Sequence, residues 1–66
     1  MIICVNGTNQ EIPNGSTLAD LMELFQLKKK SIALELNRKV VDRTKFADTG
    51  LRDRDTVEIV HFVGGG

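Results

Sequence analysis

Few side chains in this 66-residue chain are equipped for chemistry, and each has a plain reading beside the reactive one. Cys4 is the single cysteine, set in the apolar run Met1-Ile2-Ile3-Cys4-Val5 with no basic neighbour to lower its pKa. It reads as an inert, half-buried strand thiol rather than a sulfur relay. His61 is the single histidine, and nothing beside it completes a triad or a metal site, so it reads as a strand histidine. Lys28-Lys29-Lys30 sits where positive charge complements the carbonyl end of a helix, which makes it a solvated helix end. The remaining candidate is the terminus, Gly64-Gly65-Gly66.

Glycine buries no side chain and loses more backbone freedom than any other residue when fixed, so three in succession at a terminus are expected to form a flexible tail. Extended, they reach about 10 Å past the last strand, and without Cβ atoms they fit a narrow channel. Such a tail can carry its carboxylate, at Gly66, into another protein's active site. A carboxylate is a poor electrophile until it becomes a mixed anhydride, so the chemistry that suits it is adenylation with ATP followed by attack of a sulfur nucleophile. ATP would be used by the activating enzyme. The carrier itself would bind no cofactor or metal, supply no catalytic group, and act as a protein co-substrate rather than an enzyme. A glycine run alone also fits a frayed end; what favours the working tail is a strand that runs directly into the glycines.

The rest of the chain must position that tail. Sixty-six residues make one domain, 1–66, and so short a chain buries only about 60% of the surface it exposes when unfolded, leaving little for an enclosed active site. Nine basic and nine acidic side chains cancel and are interspersed, which argues against nucleic acid or an anionic membrane and for a protein partner. No stretch approaches the roughly 20 apolar residues of a membrane span, and Met1-Ile2-Ile3 lacks a basic signal-peptide flank. A lone cysteine leaves the fold to packing and fits a reducing cytoplasm.

Asn6-Gly7 after the apolar run Met1 to Val5 predicts a β-hairpin, with the return strand from about Thr8 to Ile12, ended by Pro13-Asn14-Gly15. Thr17 with Asp20 resembles a capping box, and Leu18, Leu21, Met22 and Phe25 recur at helical spacing, which predicts a helix from Leu18 to about Leu27. Ile32, Leu34 and Leu36 alternate as a half-buried strand does, and Asn37-Arg38-Lys39 turns the chain into Val40-Val41. A short helical turn around Phe46 and Ala47, then a charged turn at Arg52-Asp53-Arg54-Asp55, precede the final apolar run from Val57 to Val63. The order is ββαββ, an α+β mixed sheet of four to five strands covered by one helix, with the first and last strands side by side in the middle.

Alternation along the last strand sends Val57 and Ile59 toward the helix and Val60 and Phe62 away from it, with Ile2 and Cys4 on the same outward face. With Val63 leading into the tail, these residues are expected to form a contiguous apolar patch that docks a partner.

Across its whole length the chain resembles the thiamin-biosynthesis sulfur carriers, the ThiS family of ubiquitin-like β-grasp proteins. The resemblance rests on Val5-Asn6-Gly7, Gly15-Ser16-Thr17-Leu18, Ala33-Leu34-Glu35-Leu36-Asn37, Val40-Val41, Arg43, and above all the block from Val57 through His61 to Gly66. It implies a β-grasp fold and a cycle in which Gly66 is adenylated by a ThiF-like enzyme and converted to a thiocarboxylate. That group then gives sulfur to a ThiG-like thiazole synthase, the sulfur coming from a donor such as a cysteine desulfurase. Asp42 stands where the family usually has Pro, and Arg54 where it usually has Gly in the turn before the last strand. The alternatives are a carrier like the small subunit of molybdopterin synthase, and a ubiquitin-like modifier or interaction module.

Overall fold

The computed structural model describes residues 1–62 of the chain. Two hairpins flank a helix: β1 (Ile2–Val5) and β2 (Thr8–Glu11), α1 (Leu18–Leu24), then β3 (Ile32–Leu36) and β4 (Lys39–Val41), with β5 (Thr56–His61) last. Five strands form one mixed sheet in the order β2-β1-β5-β3-β4, so the last strand is the middle one and lies beside the first.

Local chemistry explains each element. Asn6 and Gly7 both take positive φ, 49° and 82°, as a two-residue turn matching the strand twist requires. The second hairpin achieves the same with Asn37 and Arg38, at 51° and 71°. Thr17 caps α1 through the full reciprocal box: its hydroxyl accepts from the Asp20 N–H, and the Asp20 carboxylate accepts from the Thr17 N–H. Each bond satisfies a backbone donor that the first helical turn would leave orphaned.

The helix stops three residues sooner than its periodicity predicts. Gln26 adopts φ 54°, the Leu27 N–H donates to the Met22 carbonyl at 2.9 Å, and the Gln26 N–H donates to the Glu23 carbonyl at 3.1 Å. This is a Schellman closure, made here without glycine. The lysine run is exposed, but it lies beyond the helix: Lys28 precedes a three-ten turn, Lys29–Ser31. A second three-ten segment, Arg43–Asp48, buries Phe46 completely, as the helical turn expected there would.

The core lies between one face of the sheet and α1 with the Phe46 segment. Ile3, Val5, Ile32, Leu34, Val57 and Ile59 from the sheet meet Leu18, Leu21 and Met22 from the helix. Each such buried side chain contributes about 1.5–3 kcal/mol relative to exposure. Along each strand the core residue is followed by an outward-facing neighbour, as with Cys4 after Ile3, Ala33 after Ile32 and Val60 after Ile59, which is how the core fixes what the other face displays.

Candidate functional site

Two antiparallel pairings set the outer face of the central strands. Val60 lies opposite Ala33 and Glu58 opposite Glu35, while Glu35 in turn lies opposite Val40 of β4. Their core-facing neighbours are Leu34, Val57 and Ile59, so these five side chains share the face turned away from α1. The Phe62 N–H donates to the Ser31 carbonyl at 2.9 Å, which holds the end of the last strand against the start of β3. Phe62 then borders a shallow depression with Ala33, Val40, Val41, Asp42, Arg43 and Thr44. Val40 is 72% exposed, Phe62 56% and Val60 46%, so large apolar surface faces water just before the chain enters its glycines.

The turn that builds the rim of this depression depends on Asp42. Its carboxylate accepts from the Thr44 N–H at 2.9 Å and the Thr44 hydroxyl at 2.7 Å. The backbone hydrogen bond first, and the side-chain one second, hold the Asp42 pKa below the usual aspartate value. A side-chain acceptor thus starts the turn. Next to it, Arg43 Nη1 donates to the Lys29 carbonyl at 3.4 Å and leaves its charge at the edge of the apolar surface.

Val60 and Phe62 are both exposed at the end of the last strand, but Ile2 and Cys4 do not join them. β1 runs parallel to β5, with Cys4 opposite Thr56, and the Arg54 N–H donates to the Ile2 carbonyl at 2.7 Å. Ile2 is therefore level with Arg54, and six residues of strand, about 20 Å, separate that level from Val60. The contiguous patch expected from alternation is two patches: Ile2 and Cys4 border a separate depression with Asn9, Asp53 and Arg54. Alternation assigns a face, whereas only register assigns a height on it. The residue that stands beside Val60 is Ala33, outward between Ile32 and Leu34, and Val40 joins the same face one strand further on through its register opposite Glu35. Cys4 is a half-buried free thiol, and His61 is exposed at the end of β5.

β1 stops short of the end of β5, and a side chain completes the edge. The Ile59 N–H donates to Asn6 Oδ1 at 2.7 Å, and Asn6 Nδ2 donates to the Ile59 carbonyl at 3.4 Å. The turn residue thus also acts as one further rung beside the last strand, a role its turn propensity does not reveal. The expected tail residues Gly64, Gly65 and Gly66, and Val63 of the patch, lie outside the described residues. Among the described residues, no group of His, Cys, Asp and Glu could hold a metal ion, and no helix is long and apolar enough to cross a membrane.

Known proteins match this chain over most or all of its length. The crystal structure of the thiamine biosynthesis protein ThiS from Geobacter metallireducens superposes with a TM-score of 0.87 at 29% identity, covering all of both chains. The sulfur carrier protein ThiS of Bacillus subtilis is 42% identical over 50 residues, which is 76% of each chain. A thiazole synthase of Magnetococcus marinus is 35% identical over all 66 residues, although the chain spans only 20% of that protein's length. The pattern of the ThiS family matches residues 3–66, the terminal glycines included. With the five-stranded β-grasp sheet around one helix, these matches place the chain in the ThiS family.

Proposed function

We propose that this ThiS-family protein, a sulfur carrier of thiamin biosynthesis and not itself a catalyst, bears its sulfur as a thiocarboxylate on Gly66. The observation that carries the assignment is that the family pattern continues through the glycines to residue 66. A ThiF-like enzyme activates the tail: a Gly66 carboxylate oxygen attacks the α-phosphorus of ATP, a P–O bond forms, and pyrophosphate leaves. The resulting acyl adenylate is the mixed anhydride that a bare carboxylate is not. A sulfur nucleophile then attacks the carbonyl carbon and expels AMP. Sulfide gives the thiocarboxylate directly. A persulfide passed on from a donor such as a cysteine desulfurase gives an acyl disulfide, whose S–S bond a second thiol cleaves to release the thiocarboxylate and leave a disulfide on the donor. No side chain of the carrier takes part, so Cys4 and His61 remain bystanders.

The receiving enzyme is a thiazole synthase. The likeness of the whole chain to a fifth of a thiazole synthase, found in Magnetococcus marinus and again in Paramagnetospirillum magneticum at 29% identity, supports that pairing. A carrier-like sequence within the synthase's own chain would give the tail a high local concentration at the acceptor site. Work with ATP and a labile thiocarboxylate fits a cytoplasmic carrier.

Incubation with a ThiF-type enzyme, ATP and sulfide should exchange one oxygen for sulfur, read by intact-mass spectrometry. Attachment to lysines of other proteins would instead make the chain a modifier, and an unchanged mass would count against both. Growth of a deletion strain should be restored by thiamin or its thiazole half.

A further inference from the structure

The outer face carries an unbalanced pair of charges in the middle of its apolar end. Glu35 and Glu58 are directly opposed across β3 and β5, a placement in which like charges repel. Among the described residues the one ion pair is Arg54 with Asp53, at the far end of the sheet, and none involves either glutamate. Glu35 also stands directly between exposed apolar residues: Val40 is its cross-strand partner on one side, and Val60 is diagonal to it on the other. A partner surface that touches both Val40 and Val60 must therefore cover Glu35 as well. Covering a carboxylate without a counter-charge is costly, and two adjacent ones more so.

We infer that the enzyme that adenylates the tail docks here with an arginine or lysine over the Glu35–Glu58 pair, framed by apolar side chains that cover Val40, Val60 and Phe62. This rests on the proposed activation of Gly66 and adds the charge its partner must bring. The two carboxylates weaken the free carrier and strengthen the complex, so neutralising them has effects of opposite sign on stability and on docking. A role confined to the fold produces no such opposition.

The test uses the full chain with Glu35→Gln, Glu58→Gln and the double variant, plus Glu11→Gln as a control on the same face opposite Ile2. With a ThiF-type enzyme, ATP–pyrophosphate exchange is followed against carrier concentration. The double variant should raise KM about tenfold with kcat within about twofold, and should raise Tm by about 1–5 °C as the repulsion is removed. The wild-type KM should rise with salt and that of the double variant far less. Glu11→Gln should match wild type. An unchanged KM in the double variant, or a KM increase of the same size in Glu11→Gln, overturns the charge pairing while leaving the carrier chemistry standing. A wild-type chain that no such enzyme activates overturns the chemistry on Gly66, and this inference with it.

Discussion

Along β5, Val57 and Ile59 alternate one by one with Glu58 and Val60, yet the first two are shut in the core and the second two are left in water. Val57 and Val60 are the same residue type on opposite faces, so side-chain type alone does not decide which is buried. What differs is the surroundings: the odd residues join the core cluster with α1, and the even ones are exposed on the opposite face. In so small a domain nearly every apolar group is needed inside. Apolar area left outside on Val40, Val60 and Phe62 is thus stabilisation forgone by the free protein and recoverable in a complex. One strand divides its residues between folding and recognition.

The sharpest way to break this comparison is to truncate one residue on each face. Ile59→Ala should destabilise the protein by about 2–5 kcal/mol, through lost transfer energy and the cavity left behind. Against the few kcal/mol available to a domain of this size, thermal denaturation should show it unfolded or nearly so. Phe62→Asp should keep a native circular dichroism spectrum, because the new charge is hydrated in the free protein. Its KM for activation should rise at least about tenfold, as an apolar contact becomes a carboxylate without a partner. Ile2→Asp, on the same face but about 20 Å away, should leave that KM alone. If Phe62→Asp unfolds while Ile59→Ala stays native, the two faces have been exchanged.

A smaller effect belongs to the turn that feeds β5. Arg54 sits at φ 72°, where a Cβ crowds the backbone, and Asp53 and Asp55 hold the turn through bonds to the Ile2 and Arg52 amides at 2.7 and 2.8 Å. Arg54→Gly should relieve the strain while giving the unfolded chain more entropy to lose, for a net gain of about 0.5–1 kcal/mol in urea denaturation. Because the turn lies at the far end from Phe62, activation should not change.

How far these features could be read in advance depends on their range. The Thr17–Asp20 box, the Asn6-Gly7 turn and the alternation through Ile32, Leu34, Val57 and Ile59 are local, and each appears in the structure as its spacing implies. Closure of α1 at Gln26 escaped because the left-handed position is filled without the glycine that usually announces it. The separation of Ile2 from Val60 escaped for a different reason. It follows from the parallel register of two strands some fifty residues apart, a quantity that no repeat within either strand contains. The opposition of Glu35 and Glu58 is hidden likewise until β3 and β5 are aligned.

The Asn6 amide that completes the edge of β5 has a mechanical meaning. Up to Ile59 the last strand is gripped on both sides, by β3 on one and by β1 with Asn6 on the other. Past it, the described residues offer a grip on the β3 side alone, through Phe62 and Ser31. An enzyme that draws on the end of this chain meets a zipper with its stop at Ile59: the outermost rungs can open singly, while the load behind them is shared across three strands. On the proposed use of Gly66, a pull on the tail would open those outer rungs before it reached the three-stranded centre.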